Sequence, residues 1–276
     1  MRPMIALFNF TIRQTLLNRK LWLTVLMLAA PCVLVAVVRS VAPPFDTAKE
    51  LWEMYHVLAQ FMLIMGLVPL ICMVHGTSLI GADVENRTVV YLITRRMRRS
   101  TMLFVKFAAT ALVLAVLCDL AMLGLHLCAF SAVQMESLII PSRLSDWDPA
   151  GDLRCYLLII PLAVVGFLAI FNLIGLVSSR PLGISVGYLV VFELILSNLP
   201  VRARVYSLLH QLRVMMADAM PRVINLYELP RELREELYGQ GANAVPELLA
   251  IVLGALILSA ALITIRELTP TRMSRE

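Results

Sequence analysis

The chain has 276 residues, 60% of them hydrophobic and only 16% charged, with a mean hydropathy of +0.83. A soluble domain has no way to cover that much apolar side chain, so composition excludes one and points to a polytopic membrane protein with spans of about 20 apolar residues. The net charge of +5, from 24 basic and 19 acidic residues, then reflects loops at a membrane face and not nucleic-acid binding.

Residues 4–20, "MIALFNFTIRQTLLNRK", come first. Ile5, Phe8, Ile12, Leu16 and Leu17 recur at helical spacing, with Asn9, Arg13, Gln14 and Arg19 among them. The pattern predicts an amphipathic helix on the inner membrane surface, with Arg19 and Lys20 anchoring the span that follows. No small-residue cleavage site follows the first apolar run, so it reads as a retained span. Apolar runs at 21–38, 57–82, 103–131, 155–179, 181–200 and 245–265 predict six transmembrane helices in one domain, 1–276. The expected fold is therefore all-α, the form that satisfies its own backbone hydrogen bonds in lipid. Between the fourth and fifth runs lies Ser179–Arg180–Pro181. Pro181 disfavours helix at Arg180, which predicts a tight turn there.

The segment between the second and third spans is the densest in charge. Asp83 suits a helix N-cap and Glu85 its first turn, predicting a short helix over 83–94. Val89, Tyr91, Leu92 and Ile93 give that helix apolar surface with no span to join. Arg95, Arg96, Arg98 and Arg99 follow, and Lys106 lies inside the third span, its stem able to snorkel to the head groups. The arginines serve as topological anchors. The apolar helix needs something to dock on, and a partner protein is the obvious candidate.

Between the fifth and sixth spans, Val205, Leu208, Leu209, Leu212, Met215, Met216 and Ala219 form one stripe, and Leu229, Leu233 and Leu237 a second. Two outer amphipathic helices are expected over 203–238, packed on the mouth of the spans. Their charges read as a solvated face.

Lys and Arg set the orientation. With the N-terminus inside, the inner segments hold Arg2, Arg13, Arg19, Lys20, Arg87, Arg95, Arg96, Arg98, Arg99, Lys106, Arg180, Arg266, Arg272 and Arg275, which is 14 of the 24 basic residues on the shorter length of loop. Both termini are expected in the cytoplasm, in a cell (inner or plasma) membrane.

Inside the spans, Asp119, His126 and Glu193 are costly groups that face a bundle interior or water. They read either as a polar lining of a route through the membrane or as interhelical hydrogen bonding. His75, Thr77 and Ser78 read as helix-packing groups. The five cysteines lie in or beside apolar runs like small core residues, and the four histidines lack carboxylates at ligand spacing. No metal site and no catalytic residue is expected.

"VENRTVVYLITRRMRRSTMLFVK", 84–106, resembles the cytoplasmic signature of permease subunits of type-2 ABC exporters. In that family a Glu, a Thr three residues on, a Leu-rich turn, an L-T-R-P-(I/V)-x-R segment and a Lys at the head of the third span recur in order. Glu85, Thr88, Leu92, Thr94, Arg95, Arg99 and Lys106 match, whereas Arg96 stands where the family has Pro and Val105 where Gly is common. "GYLVVFELILSNLPVRARVYSL", running off the fifth span, is also similar. The resemblance implies that the helix at 83–94, with Asp83 at its start, is a coupling helix seated in a groove of a separate ATP-binding subunit. It implies two such subunits and a second permease chain. No G-x-x-x-x-G-K-[ST] occurs here, so ATP and magnesium would be bound by the partner. The competing expectations are a polytopic scaffold without transport and, more weakly, a secondary transporter, which would show paired broken helices in two matching halves.

Overall fold

The computed structural model describes residues 2–41, 48–79, 99–130, 148–178, 180–199, 202–220 and 244–265. Every regular element among them is helical, and six helices are long and apolar enough to cross a membrane. The coupling helix expected over 83–94 and residues 221–238 of the second amphipathic segment lie outside the described residues.

The N-terminal helix α1 (Arg2–Leu17) is separate from the first span, α2 (Arg19–Val41). The break falls at Asn18, whose Oδ1 accepts from the Lys20 N–H at 3.1 Å and so caps α2. Leu7, Thr11 and Thr15 recur every four residues on α1, and this buried face lies along the third span. Of the stripe expected from sequence, Ile5, Leu16 and Leu17 point away from the protein. That leaves them free to meet lipid.

The second span runs through α3 (Ala48–Val57), a π-helical stretch (Leu58–Leu67) and α4 (Val68–Gly76). It begins earlier than the expected residue 57, because Trp52 and Tyr55 of the polar-flanked first turns are buried in the core. The π stretch meets Pro69, which has no N–H to give the ladder; just before it, the Val68 N–H reaches back five residues to the Leu63 carbonyl. The third span is α5 (Arg99–Phe130) and the fourth is α6 (Pro149–Val177). Asp148 caps α6 by accepting from the Ala150 N–H at 3.1 Å, so this helix also starts before the expected residue 155.

The turn expected at Pro181 is present. Ser178 Oγ accepts from the Arg180 N–H at 3.0 Å and Pro181 opens α7 (Pro181–Tyr188) at a position where a missing N–H costs nothing. The fifth span continues as a π-helical stretch (Leu189–Ile195) and a 3₁₀ turn (Leu196–Asn198). A second 3₁₀ segment (Arg202–Tyr206) leads into the short helix α8 (Leu208–Ala219), and α9 (Ala244–Ile265) is the sixth span.

The fourth span, α6, is the hub. It packs against α4, α5, α7, α8 and α9, and its Ile160, Val164, Phe167, Leu168 and Phe171 are buried. In lipid this interlocking, rather than exclusion of water, holds spans together. The thiols of Cys32 and Cys72 donate across helices to the Ala121 and Val164 carbonyls, and all five cysteines are free. The fifth span sits at the edge, with Leu182, Ile184, Val190, Val191 and Leu194 exposed.

Candidate functional site

The end of the bundle that carries α1 is the end from which residues 80–98 leave the second span. There the second and fourth spans touch backbone to backbone. A Cβ on Gly76 would lie 2.8 Å from Phe171 Cβ and 3.3 Å from the Asn172 nitrogen. A Cβ on Gly175 would lie 2.7 Å from the Thr77 carbonyl oxygen and 3.0 Å from Thr77 Cα. Small residues at both positions are what lets the two backbones meet. Thr77 and Ser78 return their hydroxyl protons to the Met73 and Val74 carbonyls at 2.7 and 2.9 Å, as expected of packing groups. His75 and Thr24 are 3.0 Å apart. The Thr24 proton goes to the Lys20 carbonyl at 3.0 Å, so His75 Nε2 donates, tying the first span to the second.

Lys106 belongs to the same junction. It is 2% exposed and lines a polar cavity of about 60 Å³ between α1, the end of α4 and α5. Its side chain is therefore enclosed by protein and, contrary to the snorkelling expectation, does not run through lipid. Thr11, Thr15 and Asn18 of α1, with Thr110 one turn further along α5, line the same polar space.

Glu193 is fully buried, and four donors converge on its carboxylate. Tyr188 Oη donates to Oε1 at 2.6 Å and Ser207 Oγ to Oε2 at 2.7 Å. The backbone N–H groups of Leu208 and Leu209 donate at 3.2 and 2.8 Å. These are free N–H groups of the first turn of α8, where a negative charge is also favoured by the helix dipole. Tyr188 and Glu193 are five residues apart, a spacing that the π-helical stretch brings onto one face. Ser207 caps α8 through the His210 N–H. Farther along α8, Gln211 Nε2 donates to Glu247 at 2.6 Å, and Arg213 Nη1 to Asn198 Oδ1 at 2.7 Å. His210, outside the spans, is buried, and its Nδ1 has no hydrogen-bond partner among the described residues; burial first, then the charges of Arg204 and Arg213, holds its pKa down to about 4. Eight of the 12 residues of α8 are buried, so this helix is an integral part of the packing.

At the other end, His126 Nδ1 lies 3.3 Å from Tyr55 Oη. Asp119 makes no hydrogen bond among the described residues, and its Oδ1 is sealed. Among the described residues no hydrogen bond or ion pair joins Asp119, His126 and Glu193 to one another. A cluster the sequence reading missed lies beside His126. His56 Nδ1 hydrogen-bonds Tyr156 Oη, and its Nε2 is 3.3 Å from Asp152 Oδ2, off the line of a hydrogen bond. Trp52 Nε1 donates to the same Asp152 oxygen at 3.2 Å. The rings of Tyr55 and His56 pack on Tyr156, and with the hydrogen bonds to Asp152 and Tyr156 they tie the start of the second span to the first turns of the fourth. The pairs span 100 residues of sequence, so no local pattern signals them.

Of the expected coupling residues, Asp83, Glu85, Thr88, Leu92, Thr94 and Arg95 lie outside the described residues; Arg99 opens α5, and Lys106 is placed as above. Among the described residues no group of three or more His, Cys, Asp or Glu is arranged to hold a metal ion. Comparison of the sequence with protein-family models and with curated proteins finds no match.

Proposed function

We propose that this chain is the membrane-spanning permease subunit of an ATP-driven exporter of the type-2 ABC class. A separate ATPase would seat on residues 83–94, and its hydrolysis cycle would move the spans to alternate access for substrate. The observation that carries the reading is the contact of Gly76 with Phe171 and of Gly175 with Thr77. A push that reached the end of span two at Thr77 would bear directly on span four, the hub of the bundle. A topological anchor has no need of that connection.

Support for the rest is of the same kind. The motif from Glu85 to Lys106 resembles the family's, and Lys106 is built into the root of the segment instead of trailing into lipid. The edge position of the fifth span supports a second permease chain. Gly183 and Gly187, a G-x-x-x-G pair on that span, face open space, and such pairs let transmembrane helices approach closely. The charge asymmetry supports termini on the cytoplasmic side.

The test is co-purification of a Walker-motif ATPase without spans, together with its loss in Glu85→Ala and Arg95→Glu variants that still insert. A chain that inserts and folds but holds no ATPase would be the polytopic scaffold instead.

A further inference from the structure

The cavity beside Lys106 has a chemistry that the transport reading does not use. Its lining is rich in donors. Thr15 and Thr110 are 9% and 4% exposed, and their hydroxyls make no hydrogen bond among the described residues. Asn18 accepts the Lys20 N–H through Oδ1, which leaves its amide NH₂ available, and Gln14 lines the same space. An ammonium has three donors, so Lys106 can hold a partner elsewhere and still donate into the cavity. No carboxylate is among the described lining residues.

Size and depth narrow the ligand. A water needs about 10–15 Å³ of such space, so about 60 Å³ holds roughly four waters, or one oxyanion whose four oxygens replace them. The third span has 31 residues and is thus about 46 Å long, against a hydrocarbon core of about 30 Å. It overhangs the core by about 8 Å at each end. Lys106 is six residues, about 9 Å, from the start at Ser100. A third span centred on the hydrocarbon core would put the cavity at its edge, beside the layer of lipid phosphates.

We propose that the cavity between α1, the end of α4 and α5 is a phosphate-group site, held by Lys106, Thr15, Thr110 and Asn18 and filled by an anionic lipid head group or by free phosphate. Binding there would clamp α1 to the root of the segment at 80–98. The proposal does not rest on the chain being a permease.

The test uses the purified full chain in nanodiscs. One arm compares phosphatidylglycerol with phosphatidylcholine and counts, by native mass spectrometry, the lipid kept per chain after dilution into detergent. The other keeps phosphatidylcholine alone and follows the melting temperature with millimolar inorganic phosphate. Lys106→Met removes the charge, and Thr110→Val is isosteric and decides the matter if the first variant does not fold. Selective retention of phosphatidylglycerol, weakened about tenfold in Thr110→Val, assigns the site to lipid; a phosphate-dependent rise in melting temperature lost in that variant assigns it to the free ion. Tenfold is the effect of one lost hydrogen bond to a charged group, about 1.5 kcal/mol. Equal retention of the two lipids with no response to phosphate, or retention unchanged in the variants, overturns the proposal.

Discussion

Replacing Gly175 by alanine adds one methyl group where its carbon would lie 2.7 Å from the Thr77 carbonyl oxygen and 3.0 Å from Thr77 Cα. Both are backbone atoms, so no side chain can turn aside. Ordinary contact lies near 3.5 Å, and the second and fourth spans must separate by about half an ångström or more. Overpacking of this kind costs about 1–3 kcal/mol. Alanine also gains about 0.5–1 kcal/mol over glycine in a helix interior, which blurs the variant taken alone. Gly254 supplies the correction, since it lies inside α9 and a Cβ there meets nothing within 4 Å. Gly175 stands in the last turn of α6, so its propensity gain is at most that at Gly254, and the difference between the two variants exceeds the steric cost by at most about 1 kcal/mol. Thermal denaturation in one detergent should place Gly254→Ala at or above the wild type and Gly175→Ala below Gly254→Ala by the equivalent of about 1–3 kcal/mol. In a reconstituted complex, Gly175→Ala should also uncouple transport from ATP hydrolysis while Gly254→Ala does not. Equal stability of the two variants would refute the close crossing, and normal coupling in Gly175→Ala would refute its mechanical role.

Two further outcomes follow from α8. Glu193→Ala strands two hydroxyls and two N–H donors at the start of α8. Each buried unmet donor costs about 1–3 kcal/mol, so even with partial repair a loss of about 3 kcal/mol is expected. Hydrogen exchange at the Leu208 and Leu209 amides should accelerate far more than at amides in α6; unchanged exchange at these two would contradict the capping role. His210, held near pH 4 when folded, takes up its proton later than an unfolded histidine at about 6.5. The unfolded state therefore binds more protons between those values, and stability falls as pH drops from about 6.5 to about 4, by at most about 3 kcal/mol, then levels off. His210→Gln should flatten that part of the melting-temperature profile relative to wild type, and an identical acid limb in both proteins would count against it.

Composition and hydropathy were enough to read six spans, the separate N-terminal helix and the turn at Pro181, because each depends on local pattern. Span starts were misplaced where packing outweighs hydropathy. Lys49, Glu50, Glu53 and His56 hide the start of the second span, although Trp52 and Tyr55 between them are buried. Asp152 and Arg154 hide the start of the fourth, which the Asp148–Pro149 cap would have signalled. Glu193 stood out in the sequence as costly, but its partners did not. Tyr188 is reached only through a π-helical spacing, and Ser207, Leu208 and Leu209 only through the chain's return after the fifth span. Lys106 was legible as a lysine near a span end. That α1 and α5 would supply polar company for it is a tertiary fact, and it turns a snorkelling anchor into the wall of a cavity.

The central claim is that residues 83–94 seat an ATPase. Its most direct test is affinity purification of the tagged full chain from its native membrane beside Glu85→Ala and Arg95→Glu, with ATP hydrolysis measured on each eluate and the bound subunits identified by mass spectrometry. The account predicts a Walker-motif ATPase without spans and measurable hydrolysis with the wild type, and loss of both in the variants at equal membrane insertion. Wild-type protein without an ATPase, or variants that keep it in full, would contradict the account.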